Sequence, residues 1–167
     1  MRAPSLKPQL RIAPSGFCVL IAILLAMVAA GCRTAPALPP ADFSLDGWQV
    51  RHGQAVWKPS KGRPELAGEL IFATNTNGDS FVQFDKTPFT LAVGRVVGDR
   101  WQINLGGGRY IGSGKGQPPR RFAWFQLPRA LAGEKLRSPW TYTQPEKDSW
   151  RLENFWTGET LEGSLDP

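Results

Sequence analysis

The residues able to do chemistry in this 167-residue chain are few, with one histidine, His52, and two cysteines, Cys18 and Cys32. A Ser-His-Asp arrangement would have to pass through His52, which lies in a strand-like stretch, and no nucleophile elbow stands elsewhere. Its ordinary reading is a surface or strand residue. A metal site wants several His, Cys or clustered carboxylates, and the sequence offers no such set. Two carboxylate pairs, Glu159 with Glu162 and Glu146 with Asp148, would do acid–base work if a shared cleft split their pKa values. Both sit beside turn residues, where solvation and charge balance are the common role. The glycine-rich stretch from Gly106 to Gly116 invites a phosphate-loop reading. Arg109 stands five places before Gly114-Lys115, however, and Gly116 follows where Ser or Thr should bind magnesium. Turns joining strands are the better account of it. The expectation is a chain that is not an enzyme and holds neither cofactor nor metal.

The informative cysteine is Cys32. It ends the small-residue stretch Ala29-Ala30-Gly31-Cys32, which closes an uncharged run from Phe17 to Ala30. Arg2, Lys7 and Arg11 precede that run, and no acidic residue occurs before Asp42. Basic residues followed by a short apolar core are the pattern of a secretory signal peptide. The run is 14 residues long, short of the about 20 that a spanning helix needs. The stretch resembles a bacterial lipobox, which implies signal cleavage between Gly31 and Cys32 and acylation of the Cys32 sulfur. The alternative is an ordinary signal followed by an unrelated cysteine. Each buried methylene contributes about 0.8 kcal/mol to membrane binding, so two or three long chains such as palmitate would hold the protein firmly. Arg33 is not the Asp that serves some bacteria as an inner-membrane retention signal. A lipoprotein of the cell envelope, anchored in the outer membrane and facing the periplasm, is therefore expected.

Removing residues 1–31 takes away three of 20 basic residues and none of 14 acidic ones, so the remainder carries 17 − 14 = +3. With no dense basic block beyond Arg120-Arg121, nucleic acid is not an expected partner. Cys18 leaves with the signal and Cys32 is consumed by lipid, so no disulfide is available. Residues 32–45, with Pro36, Pro39 and Pro40, read as a lipidated cysteine and a semi-extended tether. Residues 46–167 read as one β-rich domain, supplied with bulky core material by seven tryptophans that all follow Cys32.

Those residues must be positioned mainly by strands. Short alternating stretches are expected at Trp48 to Trp57, Leu66 to Thr74, Phe81 to Asp85, Phe89 to Val97, Arg100 to Leu105 and Arg109 to Gly112. Further stretches follow at Trp140 to Gln144, Trp150 to Asn154 and Glu159 to Leu165. Asn77-Gly78 marks a hairpin. Arg100 to Leu105 alternates most strictly, with Trp101, Ile103 and Leu105 on one side. Phe89 to Val97 divides into a large-residue face bearing Leu91 and Val93 and a small-residue face bearing Ala92 and Gly94. One helix is expected from Arg120 to about Leu127, opened by Pro118-Pro119 and kinked or ended by Pro128. The fold class is mainly β, an antiparallel sheet curled around a core.

This order of parts resembles the LolB-like outer-membrane lipoproteins, relatives of the periplasmic carrier LolA. The resemblance is carried in patches by Phe81-Val82-Gln83-Phe84-Asp85-Lys86-Thr87-Pro88-Phe89, Arg109-Tyr110, Trp124-Phe125-Gln126-Leu127-Pro128 and Ser149-Trp150-Arg151-Leu152. It implies a half-open antiparallel barrel with one short helix as a lid over a hydrophobic cavity. Phe72, Leu91, Val93, Trp101, Ile103, Trp124 and Phe125 would be the cavity candidates, and Phe89 the protruding residue that helps deliver cargo to the membrane. The implied function is binding the acyl chains of lipids or lipoproteins and aiding their delivery to the outer membrane, with a periplasmic carrier as a partner. The competing reading is a non-enzymatic envelope lipoprotein that binds a protein or a cell-wall component. An open apolar cavity would favour the first, a filled barrel with an exposed aromatic patch the second.

Overall fold

The computed structural model describes residues 37–166. The signal segment, the Gly31/Cys32 cleavage and acylation site and the start of the tether lie outside the described residues. Alternating stretches become nine strands: β1 (Trp48–Lys58), β2 (Leu66–Asn75), β3 (Ser80–Lys86), β4 (Phe89–Val97), β5 (Arg100–Leu105), β6 (Tyr110–Lys115), β7 (Trp140–Thr143), β8 (Ser149–Asn154) and β9 (Glu159–Leu165). All neighbours pair antiparallel in one sheet, in the order β6-β5-β4-β3-β2-β1-β9-β8-β7. Six strands follow one another by hairpins, and the chain then crosses from the β6 edge to the β7 edge. Three more strands return by hairpins until β9 pairs with β1. The sheet stays open between β6 and β7, and the crossover carries α1 (Ala123–Leu131) over its concave face.

Curvature has a local cause on β1, β2 and β9. A Cβ on Gly53 would stand 2.0 Å from the Ser164 carbonyl oxygen, one on Gly163 2.1 Å from that of Gln54, and one on Gly68 2.2 Å from that of Asp85. Only glycine allows neighbouring backbones to close in this way, and glycine kinks are how sheets turn corners. A register shift between Phe84 and Asp85 bends β3 against β4 as well.

The helix starts at Ala123, three residues later than expected, and continues through Pro128 to Leu131. Pro128 is tolerated because it lies in the second turn, where it removes one hydrogen bond, to the Trp124 carbonyl, and packing holds the rest. Every residue from Ala123 to Pro128 is buried, as expected of a helix enclosed by a curled sheet rather than lying on it. It packs against β3, β4 and β9.

The end of the expected tether is engaged with the sheet. Leu38 is buried, its N–H donates to Gln102 Oε1 at 3.0 Å, and Arg95 Nη2 donates to the Pro39 carbonyl. Phe43 makes edge-on ring contacts with Phe81 at 5.0 Å and Trp48 at 5.5 Å on the convex face. Burial lowers the pKa of Arg95.

Candidate functional site

The concave face is built from residues that the pairing registers place in line: Trp57, Ala55 and Gly53 on β1, Leu70 and Phe72 on β2, Val82 and Phe84 on β3, Ala92 and Gly94 on β4. On β4 the small-residue face turns inward. Helix and sheet meet there, since a Cβ on Gly94 would stand only 3.0 Å from the Trp124 Cβ. Trp124 is wedged between Trp57 at 5.1 Å and Phe84 at 5.6 Å, centroid to centroid. Phe125 meets Trp101 at 5.8 Å and Phe122 at 6.2 Å.

The space beneath the first turns of α1 is thus filled by aromatic side chains. It also holds one ionisable group. Glu159 is buried, its Oε1 accepts the Trp57 indole N–H at 3.0 Å, and burial pushes its pKa up to about 7 against the opposing effect of that hydrogen bond. The indole nitrogens of Trp124 and Trp150 and the amide nitrogen of Gln126 are buried donors without an acceptor.

Toward the C-terminal end of α1 the sheet and helix part, leaving a cleft of about 720 Å³. Phe72, Val96, Phe125 and Leu131 give it apolar surface, and Arg51, Asp79, Arg129 and Glu134 stand among its polar residues. These polar groups are engaged with their surroundings. Arg51 donates to the carbonyls of Leu165 at 3.3 Å and Asp166 at 3.1 Å. Arg129 pairs with Glu134 at 2.8 Å, and Asp79 Oδ1 accepts the Gly98 N–H at 2.7 Å. The volume is within the usual range of about 300–1,000 Å³ for small-molecule sites. A second groove, of about 610 Å³, has Gln54, Val56, Ala67, Arg151 and Glu162 in its lining, the last two forming an ion pair between the neighbouring strands β8 and β9.

No family model matches this chain, and no curated protein does. Its chemistry therefore rests on geometry alone.

Of the expected cavity residues, Phe72 and Phe125 line the cleft. Ile103 and Trp124 are fully buried members of the packed core, and Trp101 is half-buried against Phe125. Val93 is a correction: it pairs with Gln83 on the face away from the helix, because the close approach at Gly94 requires the small residues of β4 to turn inward. Leu91 is displaced too. It lies at the register shift, half-buried against the margin of the core. Phe89 is exposed at the β3–β4 turn, next to the cis Thr87–Pro88 peptide.

The candidate acid–base groups separate. Glu159 and Glu162 differ by an odd number of strand positions, so one points into the core and the other outward. Glu146 and Asp148 are exposed in the β7–β8 turn, and His52 is exposed on β1. Gly106, Gly107 and Gly108, all at positive φ, form the β5–β6 turn. Among the described residues no group of three or more His, Cys, Asp or Glu comes together to hold a metal ion, and no helix is long and apolar enough to cross a membrane. What sequence alone missed is Glu159 as a buried acid and the Phe155-Trp156 turn. Strand periodicity was the available signal for the first, because Glu159 alternates with Leu161, Gly163 and Leu165.

Proposed function

We propose that this chain is an envelope lipoprotein, acylated at Cys32, that takes an acyl chain of a lipid or lipoprotein into the cleft beneath the C-terminal end of α1 and passes it to the outer membrane. The observation that carries this reading is the cleft itself: apolar surface from Phe72, Val96, Phe125 and Leu131, set among polar groups that form the larger part of the lining, between a curled sheet and its helix. Such a site suits a ligand with a long apolar part and a polar end, held by about 25 cal/mol for each Å² removed from water. Transfer then needs only a modest difference in affinity between cleft and bilayer.

A second reading, a binding module for a protein or a cell-wall component, is favoured by the packing of Trp124 against Trp57 and Phe84, which leaves no open space under the first turns of α1. The two separate by mass spectrometry of gently purified Cys32→Ala protein, together with displacement of a fluorescent fatty acid. A carrier co-purifies with acyl ligand and binds the probe, and Leu131→Glu, at a half-buried cleft position, abolishes both while leaving the fold intact. A protein free of acyl ligand that ignores the probe supports the second reading.

A further inference from the structure

Antiparallel hairpins alternate ends, so the β1–β2, β3–β4, β5–β6 and β8–β9 connections share one end of the sheet. Lys61 N–H donates to the Thr157 carbonyl at 2.9 Å, joining the first and last of them. The most exposed aromatic residues gather at this end: Phe89 at 67%, Phe155 at 57% and Trp156 at 73%, with Ile111 at 62% beside them. Phe155 and Trp156 are held out by a constructed turn. Asn154 Oδ1 accepts the N–H groups of Trp156 at 3.0 Å and Thr157 at 3.2 Å, and Gly158 N–H donates to the Asn154 carbonyl at 2.8 Å.

Charge divides along the same axis. Lys61, Arg63, Lys86, Arg109, Arg120 and Arg121 are exposed on the aromatic end, where Glu65 is paired with Lys58, Glu153 with Arg151, Asp85 is half-buried and accepts from the Gln83 amide, and Glu159 is buried. The opposite end mixes Asp46, Asp99, Glu146 and Asp148 with Lys115 and Lys147. Aromatic side chains interleaved with cations are the composition of segments that lie in a bilayer interface, whereas the core of a protein–protein interface is depleted of charge.

We propose that this aromatic and basic end docks on an anionic phospholipid bilayer, with Trp156, Phe155 and Phe89 entering the headgroup region and the surrounding Lys and Arg side chains held over lipid phosphates. The proposal concerns a surface other than the cleft, and only its reach argument rests on the acylation proposed above. Leu38 is fixed to Gln102 of β5, and the six residues from Cys32 to Leu38 span at most about 20 Å. An anchor at Cys32 therefore keeps the whole domain within reach of the membrane that holds it, and the exposed aromatic and basic side chains select which end meets the bilayer.

The test uses the full acylated chain in vesicles of phosphatidylethanolamine and phosphatidylglycerol, with an environment-sensitive fluorophore on Trp156→Cys or, at the other end, on Asn77→Cys. The label at 156 should shift to the blue and be quenched by lipid-borne nitroxides, while the label at 77 stays in water. In phosphatidylcholine vesicles or at high salt the quenching at 156 should fall several-fold, roughly as screening of exposed charges implies. Phe89→Cys provides a second label position should Trp156→Cys fold poorly. A label at 156 as solvated as that at 77 overturns the docking face. Equal quenching in anionic and neutral vesicles overturns the role of the cations. Tight salt-resistant capture by a soluble protein, with no insertion, makes the surface a protein interface instead. Acylation is read separately from the intact mass, so its failure is distinguishable.

Discussion

Glu159 is a carboxyl placed where an ionised group is disfavoured, and its consequence is a pH dependence of stability with a definite sign. Its pKa is 4.5 in the ordinary state and about 7 in the fold. Between those values the folded chain holds a proton that the unfolded chain releases, so this contribution to stability is complete below the lower value and lost as pH rises through the upper one. Glu159→Gln keeps an acceptor for the Trp57 indole and has no proton to lose. It should flatten the slope and raise stability at about pH 8 by about 2–3 kcal/mol, measured by urea denaturation at about pH 5 and about pH 8. An unchanged slope would assign the pH dependence to another group. Gly94 gives a second test at this scale. Gly94→Val places methyl groups against Trp124 and should destabilise by about 1–3 kcal/mol in the same assay. Burial of Glu159 was missed although strand alternation carried a signal for it, whereas Gly94 had none, because its role depends on a helix that arrives from far along the chain.

The strands were legible almost to the residue. Phe89–Val97, Arg100–Leu105 and Glu159–Leu165 have the expected bounds, because each alternates cleanly and is bounded by turn residues. Faces were less legible than strands. The β4 pattern offered a large side and a small side, and size alone favours burying the large one. The reverse occurs because the helix backbone needs room and the larger side chains Trp57, Phe84 and Trp101 from other strands already fill the interior. Pro128, expected to kink or end the helix, is an interior residue, since the burial of the turn that carries it outweighs one missing hydrogen bond. Trp124→Ala removes the main filler between helix and sheet and should lower stability by about 3–5 kcal/mol, seen as a fall in Tm. The opened space should also increase binding of a fluorescent fatty acid if the cleft is an acyl site. The segment ahead of β1 is a smaller element with its own test. Leu38→Asp should cost about 1–2 kcal/mol from the apolar contact it gives up, and make the chain around residue 40 an early site of proteolysis.

At the scale of the whole molecule, an antiparallel sheet was expected and an open nine-stranded one is present. Its curl depends on Gly53, Gly68 and Gly163, three glycines that look unremarkable in sequence because a close approach involves a partner strand that local patterning does not identify. Gly163→Val should prevent β9 from closing on β1 and yield aggregated protein, monitored by the soluble fraction on expression and by size-exclusion chromatography. The cleft was legible only through Phe72 and Phe125, since its outline is set by where helix and sheet diverge rather than by any motif.

The attachment of the segment before β1 has a mechanical meaning. Load applied to the chain ahead of residue 37 enters the domain at Leu38 and Pro39, on the flank of β4 and β5, rather than at the first residue of β1. The Leu38–Gln102 contact, the Arg95 bond to Pro39 and the Phe43 ring contacts lie in series, so tension peels them one at a time while the sheet ladder stays intact. The ten residues from Leu38 to Gly47 would pay out about 33 Å of chain when released. The domain thus carries a stowed length of leash, short while the segment is seated and longer under pull.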